Sequence, residues 1–165
     1  MSEWMEKKLG DITDVRDGTH DSPKQQSTGR HLITSRHIKD GRIDLSKAYL
    51  ISNADYEQVN RRSKVDQWDV LFSMIGTVGE MAIVQSPPNF AIKNIGLFKT
   101  SGNEDLAKWI TYYLKSEGAQ KELHARLKGS TQQYISLGDL RTFPIKMPPL
   151  PEQKAIAEVL SSLDD

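Results

Sequence analysis

Hydrophobic positions change period several times along the chain, and each change predicts an element. Leu9, Ile12 and Val15 anchor an opening strand or turn over Trp4 to Val15. His31 to Ser35 reads as a strand. Arg36 to Ile43 follows, with Asp40-Gly41 as a hairpin turn signal. Ser52 or Asn53 is placed to cap a short helix with Tyr56 and Val59 turned inward. The run from Trp68 to Ser73 is a buried strand leading into a turn bounded by Gly76 and Gly79, and Glu80 to Val84 returns antiparallel to it. Phe90 to Lys99 supplies one or two further strands. Asn103 caps a helix whose apolar stripe is Leu106, Trp109, Ile110, Tyr113 and Leu114, a core face by its spacing. A second helix spans Gly118 to Leu127 and buries Leu123 and Leu127, and a short turn is expected at Ser136–Arg141.

The last stretch combines the strongest local signals. Pro144, Pro148, Pro149 and Pro151 enforce extended backbone, since each fixes φ and disfavours helix in the residue before it. Pro151 suits a first helical turn, and Glu152 complements its positive end. Ile156, Val159, Leu160 and Leu163 then mark one helical face. That helix has a start signal and no stop, as expected if the natural chain continues or if the face packs on a second helix. Strands and helices alternate in an α+β pattern, ending in a protruding C-terminal helix. The division expected is a domain over residues 1–147 and a Pro-rich junction with the helix start over 148–165.

Composition changes this picture little. The 165 residues suffice for one core. No apolar run approaches the roughly 20 residues of a membrane span, and Met1 to Gly10 has no signal-peptide pattern. The absence of cysteine excludes disulfides and thiolate metal sites and fits a cytoplasmic protein. Charge matters more by distribution than by its zero sum. Between Pro23 and Lys47 lie six cations (Lys24, Arg30, Arg36, Lys39, Arg42, Lys47) against Asp40 and Asp44. From Pro151 onward one lysine faces four acids. A basic loop region beside an acidic helix is compatible with nucleic acid and equally with solvated surface charge.

Candidate chemistry is confined to contact rather than catalysis. The turn-rich loop Arg16 to Lys24 offers Thr19, His20, Ser22 and Lys24 to phosphates or base edges, or is plain surface. Lys128 and then Gly129-Ser130-Thr131-Gln132-Gln133-Tyr134 set a flexible glycine before five hydrogen-bonding side chains. Gln pairs bidentately with adenine, and Ser and Thr with phosphate. Arg61, Arg62 and Lys64 suit a helix C-terminus, a reading favoured over contact with DNA. The Gly76–Gly79 turn is no P-loop, because neither a Gly-Lys-Ser/Thr nor a helix follows it. Ser86-Pro-Pro-Asn89 misplaces both the polar and the aromatic residue of an amino-methyltransferase box, and no glycine-rich cofactor loop precedes it. His124 has no second ligand at metal spacing. No metal, cofactor or catalytic group is expected.

Four segments, in order, resemble the type I restriction–modification specificity subunits: Asp17-Gly-Thr-His-Asp-Ser-Pro-Lys24, Asp69-Val-Leu-Phe-Ser with Gly76-Thr-Val-Gly79, Gly129-Ser-Thr, and Pro148-Pro-Leu-Pro-Glu-Gln-Lys-Ala-Ile-Ala-Glu-Val-Leu160. Trp68 stands where the family pattern has glycine. The resemblance implies an α+β fold, a twisted mixed β-sheet with packed helices, in one target-recognition domain with the start of a spacer helix, half or less of a two-domain subunit. It implies a non-catalytic protein that reads a half-site of double-stranded DNA and directs an adenine-methylating modification subunit and a restriction subunit. In that reading Lys24, Arg30, Arg36, Lys39, Arg42 and Lys128 contact phosphates and fix register. His20, Arg36, His37, Gln132 and Gln133 are candidates for base edges, with Thr19, Ser22, Ser130, Thr131 and Tyr134 beside them. The Ile156/Val159/Leu160/Leu163 face meets a partner, a second copy included. The alternative is a non-catalytic protein-interaction module docking through its C-terminal helix.

Overall fold

The computed structural model describes residues 3–164. The chain opens with β1 (Met5–Lys8), a single turn α1 (Leu9–Ile12) and β2 (Asp14–Asp17). After the 18–29 loop come β3 (Arg30–Ile33), a 3-10 turn at Ser35–His37, and the hairpin β4 (Ile38–Lys39) and β5 (Arg42–Ile43). Asp40 and Gly41 take φ of 53° and 77° between them, the paired left-handed conformation a two-residue hairpin turn requires. β6 (Leu50–Ile51) leads to α2 (Asn53–Ser63), whose cap is Ser52: its hydroxyl accepts from the Asp55 N–H at 3.0 Å.

β7 (Val70–Ser73) and β8 (Met81–Ile83) form the central hairpin, and β9 (Phe90–Ile92) and β10 (Ile95–Lys99) follow. Asn103 accepts from the Leu106 N–H at 3.0 Å to start α3 (Glu104–Leu114), and Ser116 caps α4 (Glu117–Arg126). Ser136–Arg141, expected as a turn, closes into a short helix α5 (Leu137–Arg141), because the Ser136 hydroxyl accepts from the Asp139 N–H at 3.1 Å. β11 (Pro144–Met147) then pairs antiparallel with β1, and α6 (Leu150–Asp164) ends the chain.

The strands do not share one sheet. β2-β10-β7-β8 make a four-stranded antiparallel sheet, and β6-β3-β9 a three-stranded mixed one in which β3 and β9 are parallel. The break lies at Lys93-Asn94, where Asn94 at φ 55° turns the chain from one sheet into the other. The largest cluster joins Val70, Phe72 and Phe98 to Trp109, Ile110 and Leu114 of α3 and to Phe143 and Ile145. Trp109 is 1% exposed, and its indole N–H donates to the Lys146 carbonyl at 2.9 Å, pinning β11 to α3. Each such buried side chain contributes about 1.5–3 kcal/mol. That exceeds the net ~1 kcal/mol of a typical hydrogen bond, so packing sets the frame and hydrogen bonds refine the loops on it.

Trp68 adopts φ 71°, a left-handed conformation natural to glycine. Its own N–H donates to Val84 O at 2.6 Å, and the Thr100 hydroxyl donates to its carbonyl at 2.6 Å. The turn therefore forms despite a conformation that strains a side-chain-bearing residue by about 1–2 kcal/mol.

Candidate nucleic-acid interface

Strand register gathers the loops. Asp17 lies opposite Gly96, Ile95 opposite Ser73, and Phe72 opposite Met81. The 18–24 loop, the 93–94 turn and the 74–80 turn therefore all leave the same end of the four-stranded sheet. The 128–135 segment joins them through main-chain bonds. The Gly76 N–H donates to Gln133 O at 2.9 Å, and the Ile135 N–H donates to Met74 O at 3.0 Å. The segment also closes on itself, with Lys128 and Tyr134 exchanging main-chain hydrogen bonds of 2.8 and 2.9 Å. Gly129 makes that closure possible. Its φ is 91°, and a Cβ there would sit 2.3 Å from Gln132 O.

The side chains of Ser130, Thr131, Gln132 and Gln133 are exposed and have no hydrogen-bond partner among the described residues. Tyr134 is 41% exposed beside them. Lys128 is different: its ammonium lies 3.2 Å from Asp139. Lys128 and the Ser136 hydroxyl beside Asp139 hold its carboxyl below the usual carboxylate range. An exposed pair of this kind is worth only about 0–1 kcal/mol, so a phosphate competes for Lys128 at little cost.

The 18–24 loop is held in the opposite manner, by side chains. Gly18 is buried against β9, where a Cβ would come within 2.5 Å of Ile92 O. His20 has Nδ1 2.8 Å from Asn94 Oδ1 and Nε2 3.0 Å from Asp17 Oδ2, so both ring nitrogens are engaged. The Arg62 guanidinium pairs with the other oxygen of Asp17, a carboxylate only 8% exposed. Ser22 accepts from the Lys93 ammonium at 2.7 Å, and the Thr19 hydroxyl accepts from the Asp21 N–H at 3.1 Å. Reading a base with His20 would break both of these contacts. Lys24 is exposed.

The other expected residues lie elsewhere. Arg30 stacks over the Tyr56 ring at 5.4 Å. Arg36 is exposed on the 3-10 turn. His37 is built into that turn, its Nδ1 accepting from the Thr34 N–H at 2.9 Å. Burial outweighs its backbone contacts to Lys47 and Thr34 and its attraction to Asp44, and pulls the His37 imidazole below its ordinary value. Lys39 and Arg42 sit on the β4–β5 hairpin that flanks β8, with Arg42 sharing a groove with Thr111 and Lys115. They form a basic group separate from the 128–135 segment by element.

Sequence reasoning missed the locking residues Asp17, Arg62, Lys93 and Asn94. Arg62 is 45 positions from Asp17 and Asn94 is 74 from His20, so no local spacing reveals them. Arg62 was expected to complement the end of α2 or, less favoured, to contact DNA. In the fold, Arg16 donates to the Arg62 carbonyl there at 3.1 Å, while Arg62 itself reaches Asp17.

The terminal helix is divided. Ile156 packs on the main cluster, and Ala157 and Gln153 are buried against the domain. Leu160 and Ser161 line a groove with Lys108 and Tyr112 of α3, and Lys108 donates to the Ser161 hydroxyl. Val159 and Leu163 of the same expected face stay 60% and 75% exposed. Among the described residues no three His, Cys, Asp or Glu side chains group to hold a metal, and no helix is long and apolar enough to cross a membrane.

Residues 1–165 match the family described as type I restriction modification DNA specificity domain. The chain is 36% identical over 170 residues to the MjaVIII type I restriction enzyme specificity subunit of Methanocaldococcus jannaschii. It is 26% identical to the putative MjaX specificity subunit of the same organism. In each case 99% of this chain matches 40% of the relative, so the chain spans about two fifths of these proteins. Among solved structures, the S subunit of the type I restriction–modification system from M. genitalium superposes with a TM-score of 0.66 at 18% identity, over 99% of this chain and 39% of that one. The HsdS subunit from Thermoanaerobacter tengcongensis gives 0.67 at 19% identity, over 98% of this chain and 37% of that one. These likenesses establish the fold.

Proposed function

The chain belongs to the type I restriction–modification DNA specificity domain family, and from that premise we propose that it reads a short half-site of double-stranded DNA. It does so without chemistry of its own, directing a modification subunit that methylates adenine and a restriction subunit to the site. Residues 1–147 form the recognition domain, and residues 148–165 begin the helix that carries partners. The observation that supports this reading most is the 128–135 segment: a main-chain-fixed loop presenting Ser130, Thr131, Gln132 and Gln133 with uncommitted side chains. A rigid backbone with polar side chains free to bond outward is what base-edge readout needs.

The roles divide by how each side chain is held. Gln132 and Gln133 read base edges. Ser130, Thr131, Lys128, Lys24 and Arg36 contact phosphates and fix register. Thr19, His20 and Ser22 shape the neighbouring loop, with Tyr134 supporting the reader. Arg30, Lys39 and Arg42 add a flanking positive field, and His37 supports the 3-10 turn between them. Val159 and Leu163 are the part of α6 left for a second helix, in a second copy or in the longer subunit. Ile156 packs on the main cluster of this domain, while Leu160 lines the groove beside α3.

The test is duplex binding across a salt series, with the modification subunit present. Affinity that falls as salt rises, through release of counterions from the phosphates, together with enrichment of one short motif from a random pool, is expected. Binding indifferent to salt, or with no sequence preference, would leave a protein-docking module as the better account.

A further inference from the structure

We propose that Lys93 binds one phosphate of the DNA backbone, its ammonium seated for that contact by the Ser22 hydroxyl. The inference rests on the reading of this chain as a DNA-recognition domain and extends it to the 93–94 turn. That turn leaves the same end of the four-stranded sheet as the 18–24 loop. Its main chain is fixed where the two larger sheets meet. The Lys93 N–H donates to Ile33 O at 2.9 Å, the Asn94 N–H to Thr19 O at 3.1 Å, and the Thr19 N–H to Ile92 O at 3.2 Å. Ile92 and Ile95, on either side of the turn, are fully buried. The Lys93 side chain therefore starts from a fixed point. Its far end is held as well, because the ammonium donates to the Ser22 hydroxyl at 2.7 Å. A side chain already ordered at both ends loses little further freedom when a ligand arrives.

The charge of its partner separates Lys93 from the cations near it. Arg62 pairs with the Asp17 carboxylate and Lys128 with Asp139. Lys93 bonds a neutral hydroxyl instead, and among the described residues no carboxylate pairs with it. Ser22 takes one of the donors that an ammonium carries, and the rest remain for a ligand. A phosphate approaching Arg62 or Lys128 must displace a carboxylate, whereas at Lys93 it displaces only hydration. A cation held in place without a counter-charge, at the end of the sheet that carries the candidate reading loops, is completed by a backbone phosphate. Such a contact fixes register and carries no sequence information. That suits a seat supplied by Ser22, which lies in a segment the chain shares with its family, while Lys93 lies outside the four shared segments.

The experiment measures binding across a salt series, using the chain with its modification subunit, the duplex selected by the unsubstituted protein, and a scrambled duplex. Lys93→Gln is expected to lower the log–log slope of affinity against salt by about 1 in magnitude. It should weaken both duplexes by the same factor and leave the preference between them unchanged. Lys93→Arg keeps the charge and is expected to keep the slope. Ser22→Ala breaks the same hydrogen bond but also keeps the charge, so it too should retain the slope. That variant separates a phosphate contact from a mere lock on the loop, for which Ser22→Ala and Lys93→Gln would act alike. In a second measurement, single phosphates of the selected duplex are replaced by neutral methylphosphonates. One position should weaken the unsubstituted chain and leave Lys93→Gln indifferent. An unchanged slope in Lys93→Gln overturns the proposal, as does a slope lowered equally by Ser22→Ala, or a scan with no such position. If the unsubstituted protein shows no salt-dependent duplex binding, the DNA-recognition reading fails and takes this proposal with it. If it shows such binding and Lys93→Gln keeps the full slope, only the role of Lys93 fails. A thermal melt of each variant confirms that the fold is retained.

Discussion

Two loops leave the same end of one sheet and are built on opposite plans. Residues 18–24 are held by their side chains: His20 between Asn94 and Asp17, Arg62 on Asp17, and Ser22 under Lys93. Residues 128–135 are held by their main chain, and Ser130, Thr131, Gln132 and Gln133 are left facing solvent. A side chain spent on holding its own loop is not available to a ligand, whereas a loop fixed through its amides can vary every side chain without losing shape. The second plan is the one suited to a recognition element, and the first to its support.

The sharpest way to break the contrast is Asp17→Ala. It removes the buried acceptor shared by His20 and Arg62, and we expect a stability loss of about 2 kcal/mol in denaturant unfolding. Binding should weaken on every duplex alike, because what fails is the support. Gly129→Ala comes next. The new Cβ meets Gln132 O in a left-handed turn, and about 1–2 kcal/mol of local order should be lost. Faster amide exchange confined to 128–135 and a relaxed sequence preference would register it. Gln132→Ala should change stability by less than about 0.5 kcal/mol, yet reduce discrimination between duplexes by about 1–3 kcal/mol. An equal loss on all duplexes would remove Gln132 from the reading role.

The mildest perturbation is pH. His37 has a folded value below its ordinary 6.5, so the unfolded chain binds its proton more readily. Its contribution to stability is complete above that ordinary value and is lost as pH falls through the lower folded one. A pH series of melts should show this decline, and His37→Gln should flatten it. The 128–135 loop, which contains no histidine, should keep its amide protection across the same range.

What was legible in the sequence was local. Asn103 caps the helix it was expected to cap, and Ser52 is the one of two candidates that caps α2, because capping is decided within three residues. Asp40-Gly41 turns its hairpin for the same reason. The Gly129 segment was legible as a candidate because a glycine followed by five polar side chains is a local pattern. What was not legible was set by distant neighbours. One sheet was expected, but the strands divide among several, and the Lys93-Asn94 turn redirects the chain between the two largest. On α6 the apolar face was read from spacing, but the domain takes Ile156 together with Ala157 and Gln153, where small Ala157 sits buried under α3. That packing leaves Val159 and Leu163 outside. The locks on the 18–24 loop were equally invisible, since Asp17 finds Arg62 only once α2 has docked beside β2.

The central claim is that the 128–135 loop reads bases while the 18–24 loop supports it. The most direct test is parallel motif selection from random duplexes by the unsubstituted chain, Gln132→Ala and His20→Gln, each with the modification subunit. The account predicts that Gln132→Ala relaxes a particular position of the selected motif, whereas His20→Gln returns the same motif at lower affinity. A relaxed position in His20→Gln with an unaltered motif in Gln132→Ala would contradict it.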